Sequence, residues 1–278
     1  MAFRFACADF TFPLLEHDKV LTLIGMMGFE GVDIGLFQDR SHIQPSMVLG
    51  QPTRNGAALK DKADGAGIKI ADVFLQCALD FTPKAVNHPD AAVRAEVRDC
   101  FERFLEYAAA SGSPHVTCLP GVHFAQEEYE ASFERTCAEL AWRAARAAEA
   151  GLVFGVEAHL GSIADTPAKA ERLVKETPGL TLTLDYTHFT KTGTPDSEVE
   201  PLIPCASHFH ARGAAKGCIQ TVAQDNTIDY RRVAQAMKQA GYRGYIGIEY
   251  TWTAWENCNR TDNLSETLML RDLLRACE

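Results

Sequence analysis

Short apolar runs of strand length alternate with longer amphipathic segments along the whole chain. The short runs are rich in Val, Ile, Phe and Thr with little apolar–polar alternation, which is typical of strands buried on both faces of a parallel sheet. The longer segments have the helical period; Val97, Phe101 and Phe104, for example, fall on one stripe. The pattern therefore predicts eight strand–helix units. The predicted strands span residues 4–8, 31–35, 69–75, 115–119, 153–157, 180–185, 206–210 and 245–250.

The length of 278 residues suits either a single large α/β barrel or two smaller domains. One domain over residues 1–278 is the simpler interpretation, because no Ser/Gly linker or abrupt change in composition divides the chain. Four non-periodic stretches directly follow predicted strands, at residues 38–55, 76–89, 121–126 and 212–227. In a barrel, the loops after the strands carry the active site, so these stretches are where we expect the function to lie.

Charge and cysteine usage narrow the class of protein. The formal net charge of -10 disfavours nucleic acid as a partner, because proteins that bind phosphate backbones usually carry a basic surface. The nine cysteines form no C-x-x-C pair, and the sequence shows neither a secretory signal nor an apolar run near membrane-spanning length. We therefore expect a cytoplasmic protein that does not insert into a membrane; the sequence leaves a homo-oligomer open.

Four of the later apolar runs end in acidic or histidine side chains, namely Glu157, Asp185, His210 and Glu249. They are about 25–40 residues apart, roughly the length of one strand, loop and helix, so they can stand side by side on neighbouring parallel strands. Three carboxylates and one imidazole favour Mn2+, Mg2+ or Co2+ over a thiolate-type zinc centre. The pattern thus predicts one divalent-metal site, although each acid alone could equally cap a loop or pair with an arginine.

Further polar residues stand near these strand ends. His188 follows Asp185 by three residues on the turn leaving the strand, and His159 has the same-face spacing from Glu157. His208 and His210 also point to one side of their strand, and we predict His210 as the ligand because it is nearer the carboxyl end. The predicted substrate contacts are His188, His159, Arg212, Lys216, Gln220 and Trp252, the last chosen over Trp255 for its proximity to Glu249.

The order and spacing of four short motifs resemble those of the xylose-isomerase-like TIM-barrel superfamily, especially its sugar phosphate isomerases/epimerases. The motif match covers the second half of the chain, and the strand–helix rhythm covers all of it. The resemblance implies a single (β/α)8 barrel that binds a divalent metal at the carboxyl end of its strands. The motifs are Val156-Glu157, Asp185-x-x-His188, His208-x-His210 and Ile248-Glu249-Tyr250.

Ketose 3-epimerases of this superfamily use two glutamates that both bind the metal and move protons on opposite faces of the substrate. The resemblance assigns these roles to Glu157 and Glu249, and it assigns the other two ligand positions to Asp185 and His210. His188 matches a residue that contacts substrate oxygens near the reacting carbon. The implied activity is a metal-dependent isomerisation or epimerisation of a sugar or polyol through an enediolate, with Mn2+ first and Mg2+, Co2+ or Zn2+ as alternatives.

The chain departs from the ketose 3-epimerases at two positions. Lys216 stands where they carry a substrate-binding arginine, and Ile163 stands where they carry a further glutamate. The second change leaves open a lyase or dehydratase that acts on a keto-polyol or 3-keto-glycoside, similar to inosose dehydratases or C-glycoside-cleaving relatives. A non-catalytic sugar-binding protein is a third interpretation. The endonuclease-IV branch, which repairs DNA, is disfavoured because its Asp-x-His is replaced here by Asp225-Asn226-Thr227.

Overall fold

Eight parallel strands close into a barrel and follow one another around it in chain order. The computed structural model describes residues 2–278. Closure comes from β1 and β8, which pair in parallel with Phe5 beside Ile246 and Cys7 beside Ile248. The predicted single (β/α)8 TIM barrel is therefore confirmed. The strands are β1 Arg4–Ala8, β2 Gly31–Phe37, β3 Lys69–Gln76, β4 His115–Cys118, β5 Val153–Glu157, β6 Thr181–Asp185, β7 Ala206–Ala211 and β8 Tyr245–Ile248.

Helices connect the strands, and their ends follow local sequence signals. Asp90 and Thr166 each accept a hydrogen bond from a backbone N–H of the helix that they precede, and Gly112 and Gly241 end helices in the left-handed conformation. None of the helices within residues 2–278 has the length and apolar character to cross a membrane. They are α1 His17–Met26, α2 Pro45–Val48, α3 Pro52–Gly65, α4 Ala91–Ser111, α5 Tyr129–Glu149, α6 Pro167–Glu176, α7 Tyr186–Thr192, α8 Asp196–Val199, α9 Tyr230–Ala240 and α10 Asn263–Arg275.

The strand ends differ from the predicted ones by a few residues. β7 continues one residue further, to Ala211, whereas β8 stops at Ile248, so that Glu249 and Tyr250 lie just beyond it. Glu249 nevertheless stays aligned with the barrel, because its backbone N–H donates to the carbonyl of Ala211 at 3.0 Å. The stretch at 38–55, predicted as non-periodic, contains α2 and the start of α3.

The barrel interior contains a buried polar group that we call the histidine layer, formed by Asp33, Asp72, His115, Ser207 and His208. His208 Nε2 lies 3.0 Å from Asp33 Oδ2, and His115 contacts Asp72 Oδ1 at 2.6 Å and Ser207 Oγ at 2.7 Å. The two imidazole rings stack with their centroids 5.2 Å apart. Each carboxylate and each imidazole therefore has a close polar partner, which reduces the free energy that burying it costs.

Gly247 makes room for this layer. A Cβ at Gly247 would lie 1.9 Å from Asp33 Oδ2 and 3.2 Å from His208 Nε2. We expect Gly247→Ala to displace the Asp33 carboxylate and lower the free energy of unfolding by about 1–3 kcal/mol, measured by urea denaturation. Gly65→Ala in α3 is the matched control, since its Cβ would meet no heavy atom of residues 2–278 within 4 Å. Equal stability of both variants would contradict this packing argument.

Candidate metal and substrate site

Glu157, His210 and Glu249 meet at the carboxyl end of the barrel. Glu157 ends β5, His210 lies in β7, and Glu249 follows β8. His210 Nδ1 lies 2.7 Å from Glu157 Oε1 and 3.1 Å from Glu249 Oε2. All three side chains are at least nine-tenths buried, and one ligand atom from each lies within 4.8 Å of the other two. The structure thus brings together three of the four predicted metal ligands.

Asp185 lies beside this triad and makes contacts of its own. Its Oδ1 caps α7 by accepting hydrogen bonds from the backbone N–H and the hydroxyl of Thr187, at 2.8 and 2.7 Å. Its Oδ2 lies 3.1 Å from a guanidinium nitrogen of Arg212 and 3.5 Å from His188 Nε2. Asp185, His188 and Glu157 form a second group that could hold a metal ion, so Glu157 is common to both groups.

The two glutamates of the triad have different acidities. Burial raises the pKa of Glu157 to about 7, although its hydrogen bond with His210 opposes the shift. Burial acts in the same direction on Glu249, but the charges of His210 and Arg212 outweigh it and lower the pKa of Glu249 to about 2. Two neighbouring carboxyl groups with separated pKa values can divide the roles of proton donor and proton acceptor between them.

The donor set at this site fits a divalent metal ion. Carboxylate oxygens and one imidazole nitrogen converge in a buried place where a charge needs a partner. Glu249 Oε2 lies 3.1 Å from His210 Nδ1, but this nitrogen pairs more closely with Glu157 Oε1, at 2.7 Å, and no other donor within residues 2–278 reaches Glu249 Oε2. A carboxylate oxygen left in this state is a ready ligand atom. The buried cluster could therefore hold a metal ion, and Asp185 and His188 extend it.

His188, in α7, and His159, in the loop after β5, both line the cavity. Burial lowers the pKa of both imidazoles, that of His159 to about 4, so both are neutral near pH 7. His159 Nδ1 lies 2.7 Å from the carbonyl of Leu160 and must donate to it. His159 Nε2 then carries a lone pair, which meets no donor among the described residues. His159 can therefore accept a hydrogen bond from a substrate hydroxyl.

A cavity of about 500 Å³ opens above the triad. Its polar inner wall includes Glu157, Glu249, His159, His188 and Arg212, all predicted from the sequence as site residues. Aromatic and aliphatic side chains form the rest of the wall, together with a few polar ones. These further lining residues are Phe10, Pro13, Phe37, Arg40, Phe74, Gln76, Leu79, Phe81, Leu119, Leu160, Thr251, Trp252, Thr253 and Trp255.

Sequence reasoning did not select Arg40 and Gln76. Arg40 donates to Gln76 Oε1 at 2.9 Å, and its guanidinium lies 4.5 Å from the centre of the Phe37 ring. Both residues belong to stretches that were predicted as active-site loops, yet neither continues the acidic and histidine pattern of the later strand ends. Their place at the cavity follows from the closure of the barrel, which brings β2 and β3 opposite β6 and β7.

Of the remaining predicted substrate contacts, Trp252 lines the cavity, whereas Gln220 and Lys216 do not. Trp255 lines the cavity as well. Gln220 is buried beneath the loop after β8: its amide nitrogen donates to Thr251 O, Cys258 O and Thr261 Oγ1, and its oxygen accepts from Thr251 N. Lys216 is exposed and lies against Gly193 in a separate surface depression. Gln220 thus braces the loop that carries Trp252, whereas Lys216 stands away from the cavity.

Most of this chain matches one known protein family. A family model described as xylose isomerase-like TIM barrel matches residues 22–273. The chain belongs to the xylose isomerase-like TIM barrel family. This membership agrees with the closed barrel and confirms the resemblance drawn from the four strand-end motifs.

Individual relatives within this fold carry out different reactions. An inosose dehydratase from Erwinia tasmaniensis is 22% identical over 271 residues, which cover 84% of this chain and 82% of the relative. A 3-keto-D-glucoside 4-epimerase from E. coli superimposes with a TM-score of 0.75 at 15% identity, over 99% of this chain and 100% of that one. A D-psicose 3-epimerase from Clostridium cellulolyticum gives 0.75 at 15% identity, over 99% and 96%. At these identities the structural likeness shows the fold alone.

Proposed function

We propose that this protein is a divalent-metal-dependent isomerase or epimerase of a sugar, acting by proton abstraction next to a carbonyl. The observation that carries the proposal is the pair of buried glutamates, Glu157 and Glu249, which lie 2.7 and 3.1 Å from the same nitrogen of His210. Their pKa values lie on opposite sides of the usual range. Both also line a cavity large enough for a sugar.

Glu157, His210 and Glu249 would hold the metal ion, with Asp185 as the fourth ligand. Hard oxygen donors and a single imidazole favour Mn2+, with Mg2+, Co2+ and Zn2+ as alternatives. When bound, the ion would polarise the substrate carbonyl and stabilise the negative charge that develops as the neighbouring C–H bond loses its proton. Arg212 holds Asp185 in place, because its guanidinium donates to Oδ2 at 3.1 Å.

Proton transfer falls to the two glutamates. The ionised Glu249 takes the proton from one face of the substrate, and Glu157, whose pKa is near 7, returns a proton to the other face, which inverts the carbon. The reverse reaction uses the two glutamates in exchanged roles. Return of the proton to the adjacent carbon would instead interconvert an aldose and a ketose. His188 and His159 lie close enough to orient the substrate hydroxyls, since both line the same cavity as the glutamates. A small sugar as substrate is also supported by the sugar-processing names of the structural relatives.

A second candidate is elimination by a lyase or dehydratase. The observation that favours it is Ile163, which packs fully buried in the hydrophobic core, so this position supplies no further carboxylate to the site. A single proton abstraction by one glutamate is enough to start the loss of a β-leaving group. The inosose dehydratase relative is consistent with this alternative.

Incubation in deuterated water separates the two functions. The metal-loaded protein is mixed with a ketose or a 3-keto sugar, and the products are analysed by mass spectrometry and proton NMR. Isomerisation or epimerisation predicts deuterium at the carbon next to the carbonyl with the carbon skeleton and its substituents retained. Loss of water or of an aglycone would support elimination, and the absence of exchange and turnover with every sugar would contradict both.

A further inference from the structure

We propose that the outer part of the cavity binds an aromatic substituent of the substrate, so that the substrate is an aryl-substituted keto sugar rather than a free monosaccharide. This inference rests on the proposed function of the metal end. We call this region the outer chamber and define it by Phe10, Pro13, Leu79, Phe81, Trp252 and Trp255. Exposure increases toward it, from 6% at Glu157 and Glu249 to 38% at Trp252 and 63% at Leu79.

The size of the cavity exceeds what a monosaccharide needs. A hexose has about twelve non-hydrogen atoms, and even at about 30 Å³ for each, the share of a water molecule in the liquid, it would fill at most about 360 Å³. The cavity has about 500 Å³. Bonded atoms pack more closely than water molecules, so the space left beside a bound hexose is larger than this difference. It is enough for a ring-sized substituent.

The surface of the outer chamber selects an apolar substituent over a second sugar. Two threonines of the loop after β8 that border the chamber are paired within the protein: the Thr251 backbone and hydroxyl both donate to Gln220 Oε1, and the Thr253 hydroxyl accepts from Trp255 N. Arg40 likewise donates to Gln76 and packs over Phe37. A second sugar would gain less from these largely apolar walls, because its hydroxyl groups are hydrated in water and meet few hydrogen-bond partners there. An aromatic ring would be stabilised by contact with the apolar walls.

The exposed aromatic and aliphatic residues of the chamber have a common orientation toward the cavity. Trp252 and Trp255 come from the loop after β8, while Leu79 and Phe81 come from the loop after β3. Phe81 packs edge-on against His159 with ring centroids 4.9 Å apart, which joins the apolar wall directly to the polar end. A substituent on a sugar bound at the triad would therefore contact this apolar wall directly.

The test compares three ligands that share one keto sugar: 3-keto-glucose, its phenyl glycoside, and the disaccharide in which glucose replaces the phenyl group. Dissociation constants are measured by titration calorimetry on the Mn2+-loaded protein and repeated on Glu249→Gln to limit turnover. We expect the phenyl glycoside to bind at least about tenfold more tightly than 3-keto-glucose, and the disaccharide to gain much less.

Variants in the outer chamber show where the preference arises. Leu79→Ala and Trp252→Ala should each reduce the ratio of the two dissociation constants by about threefold or more, and both residues are exposed enough that truncation leaves the fold intact. Leu264→Ala, an exposed leucine in α10 outside the cavity lining, should keep the ratio. Equal binding of 3-keto-glucose and the phenyl glycoside, an equal gain for the disaccharide, or a ratio that survives both chamber variants would overturn the inference.

The outcome is separable from that of the proposed function. If no sugar undergoes C–H exchange while the phenyl preference persists and depends on Leu79 and Trp252, the outer chamber stands and the proposed chemistry fails. If exchange occurs with 3-keto-glucose and the phenyl group brings no gain, the chemistry stands and the outer chamber does not bind an aromatic substituent.

Discussion

Glu249→Gln is expected to lower turnover by about 10²–10⁴-fold while the protein stays folded and still binds its substrate. Gln keeps the size of the side chain and one oxygen for the metal, but it cannot accept a proton as a base. The low pKa of Glu249, held down by His210 and Arg212, marks it as an ionised carboxylate near neutral pH. Steady-state kinetics, circular dichroism and elemental analysis for the metal are measured on the same preparation.

Isotope exchange sharpens this prediction, because the two glutamates are assigned to different faces. With the epimer whose reactive C–H faces Glu157, Glu249→Gln should still allow deuterium into the recovered substrate but form no product. Glu157→Gln should block both exchange and product formation from that epimer. The crossed pattern should reverse with the opposite epimer. A single base acting on both faces would give the same exchange result for both epimers.

Glu256→Gln serves as the matched control. Glu256 lies in the same segment after β8 as Glu249, but its carboxylate pairs with Lys191 and does not line the cavity. The same chemical change at this position should leave turnover close to that of the wild type. Unchanged turnover in Glu249→Gln with its metal retained would contradict the assignment of this residue as a catalytic base.

The acidic and histidine residues at the strand ends could be predicted from the sequence, because their positions depend only on the local strand pattern. Glu157, Asp185 and His210 each follow an apolar run on a parallel strand, and parallel strands bring their carboxyl ends to one side of a barrel. The register then aligns them: Asp185 stands directly beside His210. The choice of His210 over His208 stays a prediction, and in the structure His208 contacts Asp33 inside the barrel.

The remaining features depend on contacts between distant parts of the chain. Asp33 and His208 are 175 residues apart, and only the closure of the barrel brings them within 3.0 Å. From the sequence, Gln220 could bind a ligand or stabilise a loop. In the structure it stabilises the loop after β8, because the backbone groups of Thr251 and Cys258 lie within hydrogen-bond distance of its side chain. The position of Lys216 similarly depends on how the loop after β7 folds back over Gly193. A linear pattern carries no information about such choices.

The wall of the cavity also explains why the second half of the sequence was more informative than the first. The later strands end in ionisable side chains whose chemistry is recognisable one at a time. The earlier strands contribute Phe37 and Phe74, a residue type that is common in any buried strand. Their function is to shape the cavity, which is a property of the assembled surface. The candidate metal ligands can thus be predicted from their residue types, whereas the shape of the cavity becomes visible only in the folded structure.

Removal of the metal is expected to abolish turnover reversibly, with a loss of at least about 10²-fold after dialysis against a chelator. The fold should persist, because His210 and Glu157 pair directly at 2.7 Å and so satisfy each other without an ion. Circular dichroism should be unchanged. Addition of Mn2+ should restore activity and raise the melting temperature in a concentration-dependent manner. At an Mn2+ concentration 100 times the dissociation constant, the free energy of unfolding should increase by about 2.7 kcal/mol.

Two histidine variants test whether the triad is where the metal acts. His210→Asn removes the only imidazole of the triad and should abolish both the melting-temperature shift and the recovery of activity. His123→Asn, the same change at an exposed histidine that contacts the carbonyl of Glu127, should retain both. Full turnover in protein shown by elemental analysis to contain no divalent metal would contradict the proposal, and the two glutamates with the cationic Arg212 would then have to stabilise the enediolate alone.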